Sequence, residues 1–187
     1  MPLSKSSLTN GFQDLFEGKD PAAPGEMVFP PNPTEAGKKW AAVYKKYAEG
    51  AQAGATKPLA PSLIAAENTL AGALAAGFSA AKAAPPPAAV AALAASMDLA
   101  FVAFWMTPPM AFTATPPTMA GVVSLAPPGI LLASLIALFT SGAADKKTAA
   151  QQADAMATLL DTWTKTVMVI NTPVTPPGPP LPPAPLT

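Results

Sequence analysis

The chain has 187 residues, half of them hydrophobic, and its 11 acidic residues balance 11 lysines, with no arginine, histidine or cysteine. This composition excludes metal sites with nitrogen or sulfur ligands, nucleophile pairs that use histidine, and disulfides. It also offers no basic field and no guanidinium group for nucleic acid. Chemistry by carboxylates or lysine stays open, but no catalytic motif is present. We therefore predict no enzymatic activity, no catalytic, cofactor-binding or metal-binding residues, and no nucleic-acid partner.

Residues 1–33 are predicted to form an extended N-terminal arm with one short amphipathic turn. Phe12, Leu15 and Phe16 recur at helical spacing, which gives this turn an apolar face. That face either packs on the chain's own core or docks into a neighbour's groove. Prolines then favour an extended path, in which residues 27–29 supply an apolar anchor. No apolar run follows the first lysine, so we expect no secretory signal peptide.

Residues 34–171 are predicted to form a helical domain. Thr34 is a candidate N-cap, and Trp40, Val43, Tyr44 and Tyr47 follow it at the spacing of an amphipathic helix that ends at about residues 50–54. Further alanine-rich helices are expected at 62–81, 87–106, 129–141 and 145–168. In the last of these, Asp154 and Asp161 are predicted to face solvent rather than to form a carboxylate pair.

Two helical hairpins resemble each other, which predicts an internal repeat over residues 61–117 and 127–177. Each predicted hairpin is followed by an extended Pro-rich segment, and a chance match in an alanine-rich background is the alternative. The matched pairs are Leu74 with Leu135, Phe78 with Phe139, Met97 with Met156, Phe101 with Leu160 and Phe104 with Trp163.

The stretch from Leu99 to Ala144 contains no charged residue, so it requires burial in the chain's own core, in a partner or in a bilayer. The apolar part of residues 129–139 is shorter than the roughly 20 residues that span a membrane. Asp98 lies within the longer helix at 87–106, where insertion would cost about 2.5 to 3.5 kcal/mol. We therefore expect burial in protein, with the core supplied mainly by Phe101, Phe104, Trp105, Leu135 and Phe139.

Residues 172–187 are rich in proline and are predicted to form a polyproline II tail, with a disordered tail as the alternative. Residues 166–171 before them are rich in β-branched side chains and are typical of an edge strand. Rigid apolar extensions at both ends suggest arms that contact neighbouring subunits. The predicted contact residues are Phe12, Leu15, Phe16, Met27, Val28, Phe29, Val167, Val169 and Pro173.

Several short motifs resemble those of the small Ala/Pro-rich structural proteins found in the virions of tailed bacteriophages. They are Asn10-Gly11-Phe12, Asp14-Leu15-Phe16, the Trp40 helix, Ala103-Phe104-Trp105 and Pro108-Pro109. The resemblance implies a particle component located in a virion that assembles in the host cytoplasm, and it carries over no functional residue.

The predicted fold is mainly α: a bundle of about five helices, including the two repeated hairpins, with Pro-rich extended arms and a little β. The expected partners are other copies of the chain, other particle proteins, or both, and we expect no membrane. The alternative is a secreted or membrane-associated Ala/Pro-rich helical adaptor.

Overall fold

The protein is described by a computed structural model that covers residues 3–19, 27–115 and 117–187. Within these residues the fold is mainly helical, as predicted, with six helices and a five-stranded antiparallel sheet curved into a half-barrel. The prediction of about five helices missed one, because the N-terminal turn is a full helix. The helices are α1 (Lys5–Phe16), α2 (Pro33–Ala48), α3 (Ala60–Ala83), α4 (Pro86–Met106), α5 (Ile130–Ala144) and α6 (Ala149–Thr164).

The helix ends follow the capping residues of the sequence. The N-cap of α2 is Asn32 rather than Thr34, and its side-chain oxygen accepts a hydrogen bond from the backbone N–H of Glu35 at 2.9 Å. Thr148 and Gln151 form a capping box that starts α6. Residues 145–147 are therefore a turn, which corrects the predicted start of this helix at residue 145.

The six helices form a closed ring, in which each helix packs on the next one along the chain and α6 packs on α1. The α2–α3 contact is close, because a Cβ atom at Gly37 would overlap the carbonyl oxygen of Ala71. Small residues thus allow these alanine-rich helices to approach each other closely. In a ring of six, α1 and α4 occupy opposite positions.

The strands form an antiparallel meander in the order β1-β2-β3-β4-β5. They are β1 (Lys57–Pro58), β2 (Ala111–Thr113), β3 (Met119–Leu125), β4 (Met168–Pro173) and β5 (Ala184–Pro185). The β-branched segment near residue 170 is therefore a strand, as predicted, but it lies between two neighbours and not at the edge. Both edge strands have two residues and contain a proline, which limits pairing with further strands.

In the part of the chain that the structure describes, both terminal segments pack on the body, which contradicts the prediction that they lie against other chains rather than against the helical core. Leu8 and Phe12 of α1 are buried. At the other end, β5 pairs with β4 and Leu186 is buried. The backbone N–H groups of Thr187 and Gln52 each donate to the other residue's carbonyl oxygen, at 3.0 and 3.1 Å. The predicted extended path over residues 21–26 lies outside the described residues.

Each predicted hairpin is a pair of packed helices followed by a strand. The pair α3–α4 precedes β2, the pair α5–α6 precedes β4, and these two strands flank β3 on either side. The repeat itself stays a prediction.

Candidate interaction surface

The first group of predicted contact residues, on α1, belongs to the interior. Phe12 is fully buried, and Leu15 and Phe16 are partly buried against the core. The indole ring of Trp40 lies 4.9 Å from the ring of Phe12 and 5.7 Å from that of Phe16, measured between ring centroids. Phe78 of α3 adds a fourth ring, 5.7 Å from Trp40. This aromatic cluster fastens α1 to α2 and α3, so in this conformation its side chains have little surface left for a neighbour.

The second group, Met27, Val28 and Phe29, lies at the surface. Met27 is 79% exposed and Phe29 is 56% exposed, while Val28 is half-buried. The backbone N–H of Val28 donates to the carbonyl oxygen of Gly18 at 2.7 Å, which holds the segment beside the end of α1. Met27 and Phe29 are therefore the most exposed of the predicted contact residues.

The third group, near the C-terminus, is mostly inside. Val167 and Val169 are fully buried, and Pro173 is half-buried at the end of β4. Alternation along β4 points Val169 and Asn171 inward and leaves Ile170 partly exposed. These residues belong to the core and the sheet of their own chain.

The outward surfaces around α4, which lies opposite α1 in the ring, are almost free of charge and are called the charge-free face below. Between Lys82 and Asp145 the sequence has one charged residue, Asp98, and that residue is 4% exposed. The face comprises the outward surfaces of α4, β3 and α5, and α4 contacts both of the others. The uncharged stretch is therefore only partly buried, which corrects the expectation that it lies wholly in the core. Its exposed large apolar side chains are Leu99, Val122, Leu125 and Ile130.

Asp98 is directed inward, where backbone amides compensate its charge. Its two carboxylate oxygens accept hydrogen bonds from the N–H groups of Gly129 at 2.8 Å and Leu131 at 3.1 Å. These groups belong to the N-terminus of α5, which favours a negative charge. Asp98 of α4 thus caps α5 from a neighbouring helix, and the outer surface stays uncharged.

Most of the residues that were predicted to supply the core of the uncharged stretch are buried. Phe101, Phe104, Trp105 and Leu135 are fully buried, whereas Phe139 is only partly buried. The indole N–H of Trp105 donates to the Tyr44 hydroxyl at 3.0 Å, and that hydroxyl lies 2.7 Å from the Thr164 hydroxyl. Burial raises the pKa of Tyr44 well above its usual range.

Asp161 is also buried, which contradicts the prediction that it faces solvent. Asp161 is 8% exposed; one carboxylate oxygen accepts from the Tyr47 hydroxyl at 2.8 Å and the other from the Lys165 ammonium at 2.7 Å. Burial raises the pKa of Tyr47, and the negative charge of Asp161 adds to that effect. Asp154 does face solvent and pairs with Lys5 at 2.9 Å. Asp161 is thus a structural carboxylate.

Open grooves lie between neighbouring helices in the described part of the chain. The groove between α5 and α6 has a volume of about 520 Å³ and is lined mainly by apolar side chains, including Ile130, Leu159 and Trp163. The groove between α1 and α2, of about 450 Å³, has Asp14 and three lysines (Lys19, Lys39 and Lys46) as its charged lining residues. Among residues 3–19, 27–115 and 117–187, no group of three or more acidic residues is placed to hold a metal ion.

Two helical segments, Ala60–Ala83 and Ala88–Met106, are long and apolar enough to cross a membrane. Core helices of soluble proteins meet the same criterion, and both segments bury side chains such as Leu70 and Met97 in this protein's interior. Length and composition therefore do not assign a membrane to this chain.

The sequence prediction did not include the exposed residues of the charge-free face. It treated the uncharged stretch as core. The available signal was an apolar stripe on α4 that includes Ala92, Leu99 and Met106, in addition to the residues of this helix that fill the core. No protein-family model, curated protein or solved structure matches the chain.

Proposed function

We propose that the chain is a structural, non-enzymatic subunit of a multi-protein particle, such as the virion of a tailed bacteriophage or a related contractile assembly. The observation that supports this function is the charge-free face. Leu99, Val122, Leu125 and Ile130 are each at least 44% exposed on surfaces that carry no charge. Large uncharged apolar patches of this kind mark sites of contact with other proteins or with membranes.

The exposed segment Met27–Phe29 is the second contact that we assign to this function. Two prolines follow it and restrict its backbone, so that less conformational entropy is lost when it docks on a neighbour. The other predicted contact residues are wholly or partly buried in their own chain, so we assign the contacts to this segment and to the charge-free face. The resemblance to Ala/Pro-rich virion proteins points to the same class of function.

Sedimentation of particles tests the proposal. Particles isolated on a density gradient from cells that produce the chain should contain it at a fixed ratio to their other proteins, before and after washing with high salt. The variants Leu99→Asp and Phe29→Asp should each lower incorporation. Leu181→Asp is the matched control, because Leu181 is exposed on the C-terminal segment, outside both surfaces. A chain that stays in the soluble fraction, or that washes off, would refute the structural function.

The second candidate function is that of a membrane-associated helical adaptor, in which the exposed apolar side chains of the charge-free face would contact lipid. Flotation with uncharged phosphatidylcholine vesicles distinguishes the two. A particle subunit should remain at the bottom of the gradient, whereas an adaptor whose charge-free face enters lipid should float and should stop floating when Leu99 is replaced by Asp.

A further inference from the structure

The outward side of α4 carries a second apolar stripe in addition to the one that fills the core. Its positions alternate in steps of four and three residues, the spacing of helices that pair along a seam. Leu99 is 63% exposed and Ala88 is exposed, and the remaining members are half-buried. The stripe consists of Ala88, Ala92, Ala95, Leu99, Val102 and Met106.

The stripe changes from small to large side chains halfway along the helix. Its first half consists of three alanines and its second half of leucine, valine and methionine. The six positions are also symmetric about residue 97. If a second α4 lies antiparallel across a twofold axis at that residue, Ala88 faces Met106, Ala92 faces Val102 and Ala95 faces Leu99. Every large side chain then meets a small one, as close packing requires.

From this geometry we propose that a second copy of the chain docks on the charge-free face, with α4 packed antiparallel against α4 about a twofold axis. Such an interface is isologous, so one surface patch must complement itself. The stripe meets that condition only in the antiparallel orientation. A parallel pair would set alanine against alanine and leave gaps in one half of the seam.

The surface around the stripe is large enough for a dimer. The stripe spans about 27 Å along α4 at 1.5 Å per residue. The adjoining half of α3, which lies outside the charge-free face, and that of α5 make the contact surface about 20 Å wide at ordinary helix spacing. Two copies would therefore bury about 1,100 Å² in total, which exceeds the roughly 1,000 Å² expected of a biological interface.

The charges of these three helices do not oppose the pairing. α5 carries none, and Asp98 of α4 is turned inward to the amides of α5. On α3, Glu67 pairs with Lys45 of α2, and Lys82 lies in the last turn. The six stripe positions thus bury no charged group, and their pairing avoids that desolvation cost.

Disulfide cross-linking tests the orientation directly, because the chain contains no cysteine and each introduced thiol is therefore the only one. Mixed Ala88→Cys and Met106→Cys proteins should form a disulfide-linked dimer on mild oxidation. Neither variant should link to itself, since an antiparallel pair separates like positions by about 27 Å. Self-linking of Ala88→Cys, or no linking in the mixture, would overturn the proposal.

Sedimentation equilibrium of the full chain tests the dimer itself. The wild type should dimerise, and Leu99→Asp should raise the dissociation constant about tenfold or more, because a charge would be buried in the seam. Met27→Asp is the matched control: Met27 follows α1 on the opposite side of the ring and is 79% exposed. Circular dichroism should show both variants folded. A monomeric wild type, or an equal effect of both variants, would overturn the proposal.

This inference deepens the proposed structural function by naming one neighbour, and the two can fail separately. A chain that is monomeric alone but still co-sediments with particles would refute the dimer and leave the structural function standing. A dimer that is absent from particles would refute the structural function and leave the dimer standing.

Discussion

Replacing Asp98 by alanine tests how much the hydrogen bonds between its carboxylate and the N-terminus of α5 stabilise the fold. The substitution removes two hydrogen bonds from an ionised acceptor, each of which contributes about 1.5 to 3 kcal/mol net. The amide of Leu131 is at a buried position and loses its partner, whereas that of Gly129 is exposed and can bind water. We therefore expect the free energy of unfolding to fall by about 3 to 4 kcal/mol.

Equilibrium unfolding in urea measures this loss, with the slope of the transition as a check that both proteins unfold in the same way. Asp98→Asn should cost less than Asp98→Ala, because the amide oxygen can still accept one of the two bonds. Asp154→Ala is the matched control: Asp154 pairs with Lys5 on the surface, and its loss should cost under about 1 kcal/mol. If Asp98→Ala changed stability no more than this control, the carboxylate would not be what anchors α5.

Three further experiments test the packing of the interior: one substitution, one titration and one pair of matched substitutions. Phe104→Ala should lower the free energy of unfolding by about 3 to 5 kcal/mol, because the ring is fully buried; a loss below about 1 kcal/mol in urea unfolding would contradict that placement. Tyr44 and Tyr47 are the chain's two tyrosines, and the fold raises the pKa of both. Their contribution to stability is therefore complete below about pH 10, the usual tyrosine range, and is lost as the pH rises above it. Absorbance at 295 nm should rise only together with unfolding, and a rise while the circular dichroism is still native would refute the buried network. Gly37→Ala should lower the melting temperature, because its Cβ would overlap α3, whereas Gly72→Ala on the open side of α3 should raise stability by about 0.5 to 1 kcal/mol. Calorimetry that gave both alanine variants the same sign would contradict the close α2–α3 contact.

Local patterns were sufficient to predict most of the helices. The stripe of Tyr44 and Tyr47 in α2 and the proline that opens α4 gave elements close to those observed. Helical spacing is a dependable signal because it relates residues within a few positions of each other. The sheet was mostly missed, since its strands are short and pair across distant parts of the chain. Asn171, for example, accepts its hydrogen bond from the Thr56 hydroxyl.

The prediction that the terminal segments lie against other chains was wrong for a related reason. The spacing of Phe12 and Phe16 predicts an apolar face but does not say which surface covers it, and the nearest cover is Trp40 of the same chain. Likewise, the prolines of the C-terminal segment exclude a helix but do not prevent a return to the sheet, where Leu186 is buried. An apolar side chain docks wherever complementary surface is available, and that surface is set by the whole fold.

The sequence by itself was sufficient to exclude disulfides and metal sites with nitrogen or sulfur ligands, and to predict a mainly helical fold. It also shows that residues 83–144 contain one charged residue. The tertiary structure alone decided which parts of that stretch are inside. Asp98 and Leu99 are adjacent, and hydropathy alone would bury the leucine and expose the aspartate. The fold does the reverse, because successive residues point about 100° apart around a helix and the amides of α5 compensate the carboxylate on the inner side. Leu99 is thereby left at the surface, where a second copy of the chain is proposed to cover it.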